Sequence, residues 1–179
     1  FRSIYLHNNM LEYGHTYYVT IDNGVLNLAD GSFQGVTKED EWTFTTKSDM
    51  PELSDTLIVD ATGKGDFNTV QGALDFIPDF NEQQTVILVN PGDYEELVYT
   101  RNKWNVKIKG AGMADTKVHY ANNEVFNPHP LTVKTNEWPG TFPSRRAAFM
   151  LDNCKDIVIE DMTIATDLKG QAEGLLING

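Results

Sequence analysis

The stretch Asp66-Phe-Asn-Thr-Val-Gln-Gly-Ala-Leu-Asp-Phe-Ile-Pro78, followed by Thr85-Val-Ile-Leu-Val-Asn-Pro-Gly-Asp-Tyr-Glu-Glu96, decides the fold of this chain. The first run predicts a short amphipathic helix over about residues 66–78, because its apolar residues recur at helical spacing and Pro78 ends it. Asp66 or Asn68 is expected to cap its amino end. The second run predicts a buried strand over residues 85–89, which leads into a turn that carries Tyr94 and Glu96.

Short apolar runs continue along the chain and are separated by Gly, Asn, Asp and Pro. The intervals from Val86 to Val106, 20 residues, and from Ile157 to Leu175, 18 residues, suit successive coils of a right-handed parallel β-helix. The helix over residues 66–78 then covers an end of the stack, since a terminal coil cannot bury both faces on neighbours. A sandwich or jelly roll also gives short strands at regular spacing. The predicted strands are Leu57–Val59, Thr85–Val89, Val106–Lys109, Lys117–Tyr120, Ala148–Leu151, Ile157–Ile159, Met162–Ile164 and Leu175–Ile177.

The first 47 residues carry a different, all-β pattern. Tyr17–Asp22 and Trp42–Thr46 alternate apolar and polar residues and predict two strands whose aromatic side chains face a core. A complete sandwich needs about seven strands and roughly 100 residues, so earlier strands are expected before Phe1. We therefore expect a partial β-sandwich over residues 1–47, a polar linker over 48–54 that contains Pro51, and the β-helix over 55–179.

Composition argues against several function classes. The net charge of −12, with 14 basic residues, disfavours nucleic-acid binding, because phosphate binding needs clustered Lys and Arg. No apolar run approaches the roughly 18 to 20 residues of a membrane-spanning helix. The single Cys154 excludes an internal disulfide, and the four His residues lack metal-ligand spacing, so no metal site is predicted.

Five motifs, in order, resemble the amino-terminal part of the pectin methylesterase (pectinesterase) family. Gly63–Leu74 is similar to its Gly-x-Gly-Asp-Phe-x-Thr-Val-Gln-x-Ala pattern, and Gly92, Tyr94 and Glu96 match its Gly-x-Tyr-x-Glu motif. This resemblance implies a right-handed parallel β-helix. Residues 13–46 resemble the carboxy-terminal half of a bacterial immunoglobulin-like module, which implies a spacer without chemistry. The remaining three esterase-like motifs are Val106–Gly112, Gly140–Phe142 with Ala148–Phe149, and Gln171–Gly174.

The resemblance implies a carbohydrate esterase that hydrolyses methyl esters of galacturonate in pectin. In that family two aspartates act as nucleophile and general acid or base, glutamines donate to the oxyanion, and no cofactor takes part. Gln171 matches one such oxyanion position, although Glu173 and Gly174 replace the usual Val-Ala. The aspartate motifs are absent from the sequence, so we expect the catalytic aspartates beyond Gly179 and an inactive chain in isolation.

The sequence also suggests roles for several other residues. Phe142 and Trp138 are candidates for stacking on a sugar ring, and Arg145 is a candidate for bidentate contact with a galacturonate carboxylate, an ordinary ion pair being the alternative. Gly92, Tyr94 and Glu96 are expected to be structural, the last two tying down backbone N–H groups of the next coil. The four aspartates expected in turns and on the surface are Asp152, Asp156, Asp161 and Asp167.

Two alternative functions stay open. One is a non-catalytic pectin-binding or surface-display β-helix, and the other is a polysaccharide lyase that uses calcium and a basic residue. The expected partners are pectin or another methyl-esterified galacturonan. The chain is also expected to contact the remainder of its own polypeptide or a second copy, because the coils of a short β-helix expose apolar ends. The resemblance implies a secreted, cell-surface or periplasmic bacterial protein.

Overall fold

The computed structural model describes residues 11–26, 31–123, 146–170 and 172–179. The chain divides into two compact units, residues 1–52 and 53–179. The boundary falls inside the segment 48–54, where the change of pattern predicts a linker. The smaller unit contains an antiparallel pair, β1 (Thr16–Tyr18) and β2 (Thr43–Thr45). Both strands are shorter than predicted. Tyr17 and Phe44 are paired and their rings stack with centroids 5.7 Å apart. Trp42 and Phe44 are 43% and 39% exposed, so the prediction that their side chains face a core is wrong.

The larger unit is a right-handed parallel β-helix, as predicted. Each of the three complete coils, of which β4–β6 is the first, contributes one strand to each of three parallel sheets, and β3 adds a fourth strand to the first sheet. The first sheet has the order β10-β7-β4-β3, the second β11-β8-β5, and the third β12-β9-β6. Their bounds are β3 (Thr56–Val59), β4 (Thr85–Val89), β5 (Gly92–Glu95), β6 (Val98–Arg101), β7 (Trp104–Gly110), β8 (Thr116–Tyr120), β9 (Ala147–Asp152), β10 (Lys155–Glu160), β11 (Thr163–Thr166) and β12 (Glu173–Asn178).

The pairing register corrects one prediction about the repeat. Thr85 is paired with Val106, and Val106 with Ile157, so these residues mark successive coils. Leu175 belongs to the third sheet of the coil whose first sheet contains Ile157. The interval from Ile157 to Leu175 is therefore not a coil repeat. One coil can contain an apolar run in each of its three strands. The spacing between neighbouring runs therefore does not by itself give the length of a coil.

The core consists of side chains stacked in register along each sheet. In the first sheet Leu57, Ile87, Ile108 and Ile159 occupy equivalent positions, and the first three have no exposed surface. Burial alternates along β3 and β7, because successive strand residues point to opposite faces of the sheet. The inner ladder through Val89 continues with Gly110, where a Cβ would collide with the carbonyl oxygen of Asp161.

The helix and the segment after β4 also differ in detail from the prediction. Helix α1 covers Val70–Phe76, and its cap is Thr69, whose side chain accepts from the Gly72 N–H at 3.0 Å. The predicted cap residue Asp66 instead accepts from the Ile58 N–H of β3 at 2.8 Å. Residues 92–95 form strand β5 rather than a turn, and β6 begins after Glu96 and Leu97. The hydrophobic pattern does not predict β5, because Gly, Asp and Glu occupy three of its four positions.

The two ends of the β-helix differ. Helix α1 packs Val70, Ala73 and Leu74 against the core beside β3, β4 and β6. At the other end, the side chains of Leu175 and Ile177 are 41% and 68% exposed. They help to line an open apolar cavity of about 330 Å³ with Leu151, Cys154, Ile157 and Ile159. Within the described ranges, no helix is long and apolar enough to cross a membrane.

Candidate active-site face and the capping motifs

Four residues with predicted contacts to substrate, Trp138, Phe142, Arg145 and Gln171, lie outside the described residues. The strand that follows Gln171, β12, is described from Glu173 onward. It pairs with β9 and completes the third sheet. Among the described residues, no group of three His, Cys, Asp or Glu side chains is arranged to hold a metal ion.

The residues of the Gly-x-Tyr-x-Glu motif lie at the first coil. Tyr94 is buried, and its hydroxyl donates to the Asn90 carbonyl oxygen at 2.9 Å. A Cβ on Gly92 would lie 3.0 Å from the Tyr94 ring, so the glycine leaves room for that ring. Burial raises the pKa of the Tyr94 hydroxyl above its ordinary value. These contacts fix the corner between the first and second sheets.

Glu96 ties this motif to helix α1. Its carboxylate accepts from the Val70 N–H at 2.8 Å and from the Gln71 N–H at 2.9 Å. These donors belong to the first turn of the helix, not to the next coil as predicted. An α-helix leaves its first N–H groups without partners inside the helix, and a negative charge there also complements the helix dipole. Burial raises the pKa of Glu96, although the two N–H donors act in the opposite direction.

Lys103 has the corresponding role at the other end of the helix. Only 7% of this lysine is exposed, and its Nζ donates to the Ile77 carbonyl oxygen at 2.5 Å and to Asp79 Oδ1 at 2.7 Å. A positive charge at a helix carboxyl end is favourable. The hydrogen bond from Lys103 lowers the pKa of Asp79. Two buried side chains of opposite charge, both from outside the helix, therefore hold its two ends.

Gln71 joins the helix to the exposed edge of the third sheet. Its Oε1 accepts from the Tyr99 N–H at 2.7 Å, and its Nε2 donates to the Tyr99 carbonyl oxygen at 2.9 Å. β6 is the last strand of that sheet, so these backbone groups have no strand neighbour on that side. The side-chain amide takes the place of one peptide group of a missing strand. Asp66, Thr69 and Gln71 of the first motif, Gly63–Leu74, thus all form hydrogen bonds that hold the fold together.

A polar cluster that the sequence analysis did not identify lies on the third sheet. Asp152, at the end of β9, accepts from the Tyr99 hydroxyl at 3.1 Å and from Asn178 Nδ2 at 2.9 Å. Its Oδ2 lies 3.2 Å from Arg101 Nε. One carboxylate therefore joins side chains from all three strands of the sheet. The alternation in Val98-Tyr-Thr-Arg101 places Tyr99 and Arg101 on one face, but it carries no signal for Asp152 or Asn178.

Glu173, which departs from the family pattern, has a partner at the other end of the same sheet. Its Oε1 lies 2.9 Å from Arg146 Nη2, and both side chains are less than one-third exposed. Glu173 is in register with Ala147, the residue after Arg146. The pair therefore links the starts of β9 and β12. A charged residue at position 173 is accommodated because Arg146 compensates its charge.

These observations define a right-handed parallel β-helix whose first coil is closed by a helix. A protein-family model described as Pectinesterase matches residues 56–177, so the chain belongs to the pectinesterase family. Among curated proteins, Probable pectinesterase 67 of Arabidopsis thaliana is 33% identical over 96 residues, which cover 50% of this chain and 28% of that protein. Pectinesterase QRT1 of the same plant is 50% identical over 42 residues, which cover 24% of this chain and 11% of that protein.

Solved structures share the fold. Pectin methylesterase from carrot has a TM-score of 0.55 at 21% sequence identity, over 72% of this chain and 37% of that one. Pectin methylesterase PemA from Erwinia chrysanthemi has a TM-score of 0.52 at 18% identity, over 71% of this chain and 40% of that one. The chain thus spans less than half the length of each of these relatives.

Proposed function

We propose that this chain forms the amino-terminal part of a pectin methylesterase-like carbohydrate esterase, which hydrolyses methyl esters of galacturonate in pectin. The observation that carries the proposal is the family match over residues 56–177. The contacts between the two motifs Gly63–Leu74 and Gly92–Glu96 are consistent with this proposal. Tyr94, Glu96, Gln71 and Lys103 build the scaffold of the first coil, so the chemistry belongs to other residues.

The reaction consumes one water molecule, releases methanol and leaves a galacturonate carboxylate. It needs a nucleophile, an acid or base that protonates the departing methoxide, and donors for the tetrahedral oxyanion. Gln171 is the proposed oxyanion donor, because its neutral amide stabilises negative charge without itself titrating. The ion pair between Arg146 and Glu173 supports this role, since it anchors the start of the strand that follows Gln171. The catalytic aspartates are proposed to follow Gly179.

Other parts of the proposal concern partners and location. Trp138 and Phe142 are proposed to stack on sugar rings, and Arg145 to bind a galacturonate carboxylate. We propose that the protein is secreted or held at the surface of a bacterial cell, although the curated relatives described above are from a plant. Residues 1–47 are proposed as part of an immunoglobulin-like module, which the antiparallel pairing of β1 and β2 supports.

Methanol release from highly esterified pectin tests the proposal. The assay compares the 179-residue chain with a hybrid in which the coils that follow this region in the carrot enzyme are joined after Gly179. We expect an active hybrid and an inactive 179-residue chain, and replacement of Gln171 by Ala should lower the activity of the hybrid. A folded hybrid that binds pectin without releasing methanol would favour the non-catalytic alternative. Activity in the 179-residue chain would show that the aspartates lie within it.

A further inference from the structure

We propose that Tyr99 and Arg101 form a binding site for a hexuronate residue with a free carboxylate. The identity of the sugar rests on the proposed function, because pectin is the proposed substrate. The site would bind the de-esterified product rather than the methyl ester. It lies on the outer face of the third sheet, toward the carboxyl ends of its strands, whereas Gln171 precedes the amino end of β12.

The strand places the two side chains side by side. Val98 and Thr100 of β6 point into the core and are 1% and 2% exposed, so the alternating residues Tyr99 and Arg101 point outward. Tyr99 is 47% exposed, so its ring is accessible to a ligand. Residues two apart on a strand are separated by about 6.6 Å, a distance that a sugar ring and its carboxylate span.

Both side chains are held in position before any ligand binds. The Tyr99 hydroxyl and Arg101 Nε meet at the Asp152 carboxylate, which also accepts from Asn178. The Tyr99 backbone is held on its other side by the Gln71 amide. The side chain of Asp152 is only 16% exposed, so it anchors the other two residues rather than facing the solvent. Ordering the groups in advance lowers the entropic cost of binding.

The chemistry of the pair fits a uronate. A pyranose presents a face of C–H groups that packs on an aromatic ring, and tyrosine is suited to an exposed site of this kind. A guanidinium has donors on its terminal nitrogens in addition to Nε, and their planar geometry matches a carboxylate. A methyl ester is uncharged, so it cannot form the ion pair that a free carboxylate forms with the Arg101 guanidinium. The net charge of −12 repels a polyanion at long range. Binding of a uronate therefore depends on a local positive group such as Arg101.

The test measures binding of galacturonate oligosaccharides to the 179-residue chain by isothermal titration calorimetry. We expect the de-esterified oligosaccharide to bind at least about tenfold more tightly than its fully methyl-esterified form. Arg101→Gln and Tyr99→Ala should each weaken that binding by about tenfold or more. Arg101→Lys, which keeps the charge but not the planar donors, should give an intermediate loss and guards against a general effect on folding.

Two variants serve as matched controls. Lys109→Gln removes an exposed positive charge from the first sheet, and Tyr18→Ala removes an exposed tyrosine from the smaller unit. Neither should change the affinity. Equal affinity for the two oligosaccharides, no measurable binding, or an equal loss in Lys109→Gln would overturn the proposal. Binding with the expected selectivity but no methanol release from the folded hybrid would instead reject the esterase proposal and leave this site standing.

Discussion

The carboxylate of Glu96 lies 2.8 Å from the backbone nitrogen of Val70 and caps a helix that begins 26 residues earlier in the chain. The two most recognisable motifs of the sequence are therefore partners in space. One supplies the helix that covers the first coil, and the other supplies the charge that holds the start of this helix. Each motif therefore supplies a contact on which the other depends.

Replacement of Glu96 by Ala should destabilise the β-helix by about 2 to 4 kcal/mol, because the buried N–H of Val70 and the partly buried N–H of Gln71 lose their acceptor. Urea unfolding followed by circular dichroism measures the free energy of unfolding. Glu95→Ala is the matched control, since the neighbouring carboxylate is exposed, and its effect should stay within about 0.5 kcal/mol. Equal effects of the two substitutions would contradict the capping role of Glu96.

The stability should depend on pH through the same residue. Burial raises the pKa of Glu96 above its ordinary value of about 4.3. Between these two values the folded chain binds a proton that the unfolded chain has released, so the contribution falls as the pH rises through this window. The difference in unfolding free energy between the natural chain and Glu96→Gln should therefore decrease from pH 4 upward. A difference that increases with pH would show that the two N–H donors outweigh the effect of burial.

Lys103→Met should destabilise the chain by about 2 kcal/mol, because the Ile77 carbonyl oxygen and the Asp79 carboxylate lose a buried donor. Lys109→Met is the control. Lys109 forms ion pairs with Glu160 and Asp161 on the surface, and solvent screening makes exposed pairs of this kind weak. Thermal unfolding of the two variants at one pH compares them directly, and a larger loss for Lys109→Met would argue against the role given to Lys103.

Gln71→Glu should loosen strand β6 while the rest of the β-helix is retained. A carboxylate can still accept from the Tyr99 N–H, but it cannot donate to the Tyr99 carbonyl oxygen. Hydrogen exchange measured by mass spectrometry should show faster exchange over residues 98–101 than in the natural chain. Exchange over residues 104–110 of β7, the next strand along the chain and a member of the first sheet, serves as the internal reference. An equal increase in both strands would indicate general destabilisation instead.

For the 179-residue chain we expect self-association through the apolar end that Leu175 and Ile177 line. Ile177→Asp places a charge at this end and should shift the chain toward monomers in analytical ultracentrifugation, because the apolar cavity loses its complementarity to a partner. Met113→Asp adds the same charge at another exposed apolar residue and should have no such effect. A natural chain that is monomeric at all concentrations would rule out association through this end.

The β-helix could be predicted because its apolar runs follow the strands of the first sheet and because the motifs are continuous in sequence. The predicted strand over residues 85–89 coincides with β4. The cap of α1 was predicted wrongly because Asp66 is used by β3, a contact that depends on how the chain folds back. No local pattern shows such competition between two backbone donors for one carboxylate.

The cluster of Tyr99, Arg101 and Asp152 is harder to predict from the sequence than the fold. Tyr99, Asp152 and Asn178 lie far apart in the chain, and only the stacking of β6, β9 and β12 brings them together. Each of these residues alone is typical of a strand end or a turn. Lys103 illustrates the same difficulty, since a lysine is ordinarily expected on the surface and its burial follows from the position of the Ile77 carbonyl oxygen.

The Gln71 amide that occupies the edge of β6 also has a consequence for how copies of the β-helix assemble. A fibre grows only when each subunit offers two complementary ends, whereas a subunit with one blocked end terminates growth. On the edge of β6 the Gln71 amide occupies the outer N–H and carbonyl groups of Tyr99, so a new strand can pair there only if it displaces this side chain. For the 179-residue chain we therefore expect association through the apolar end to give pairs rather than fibres, because helix α1 covers the opposite end.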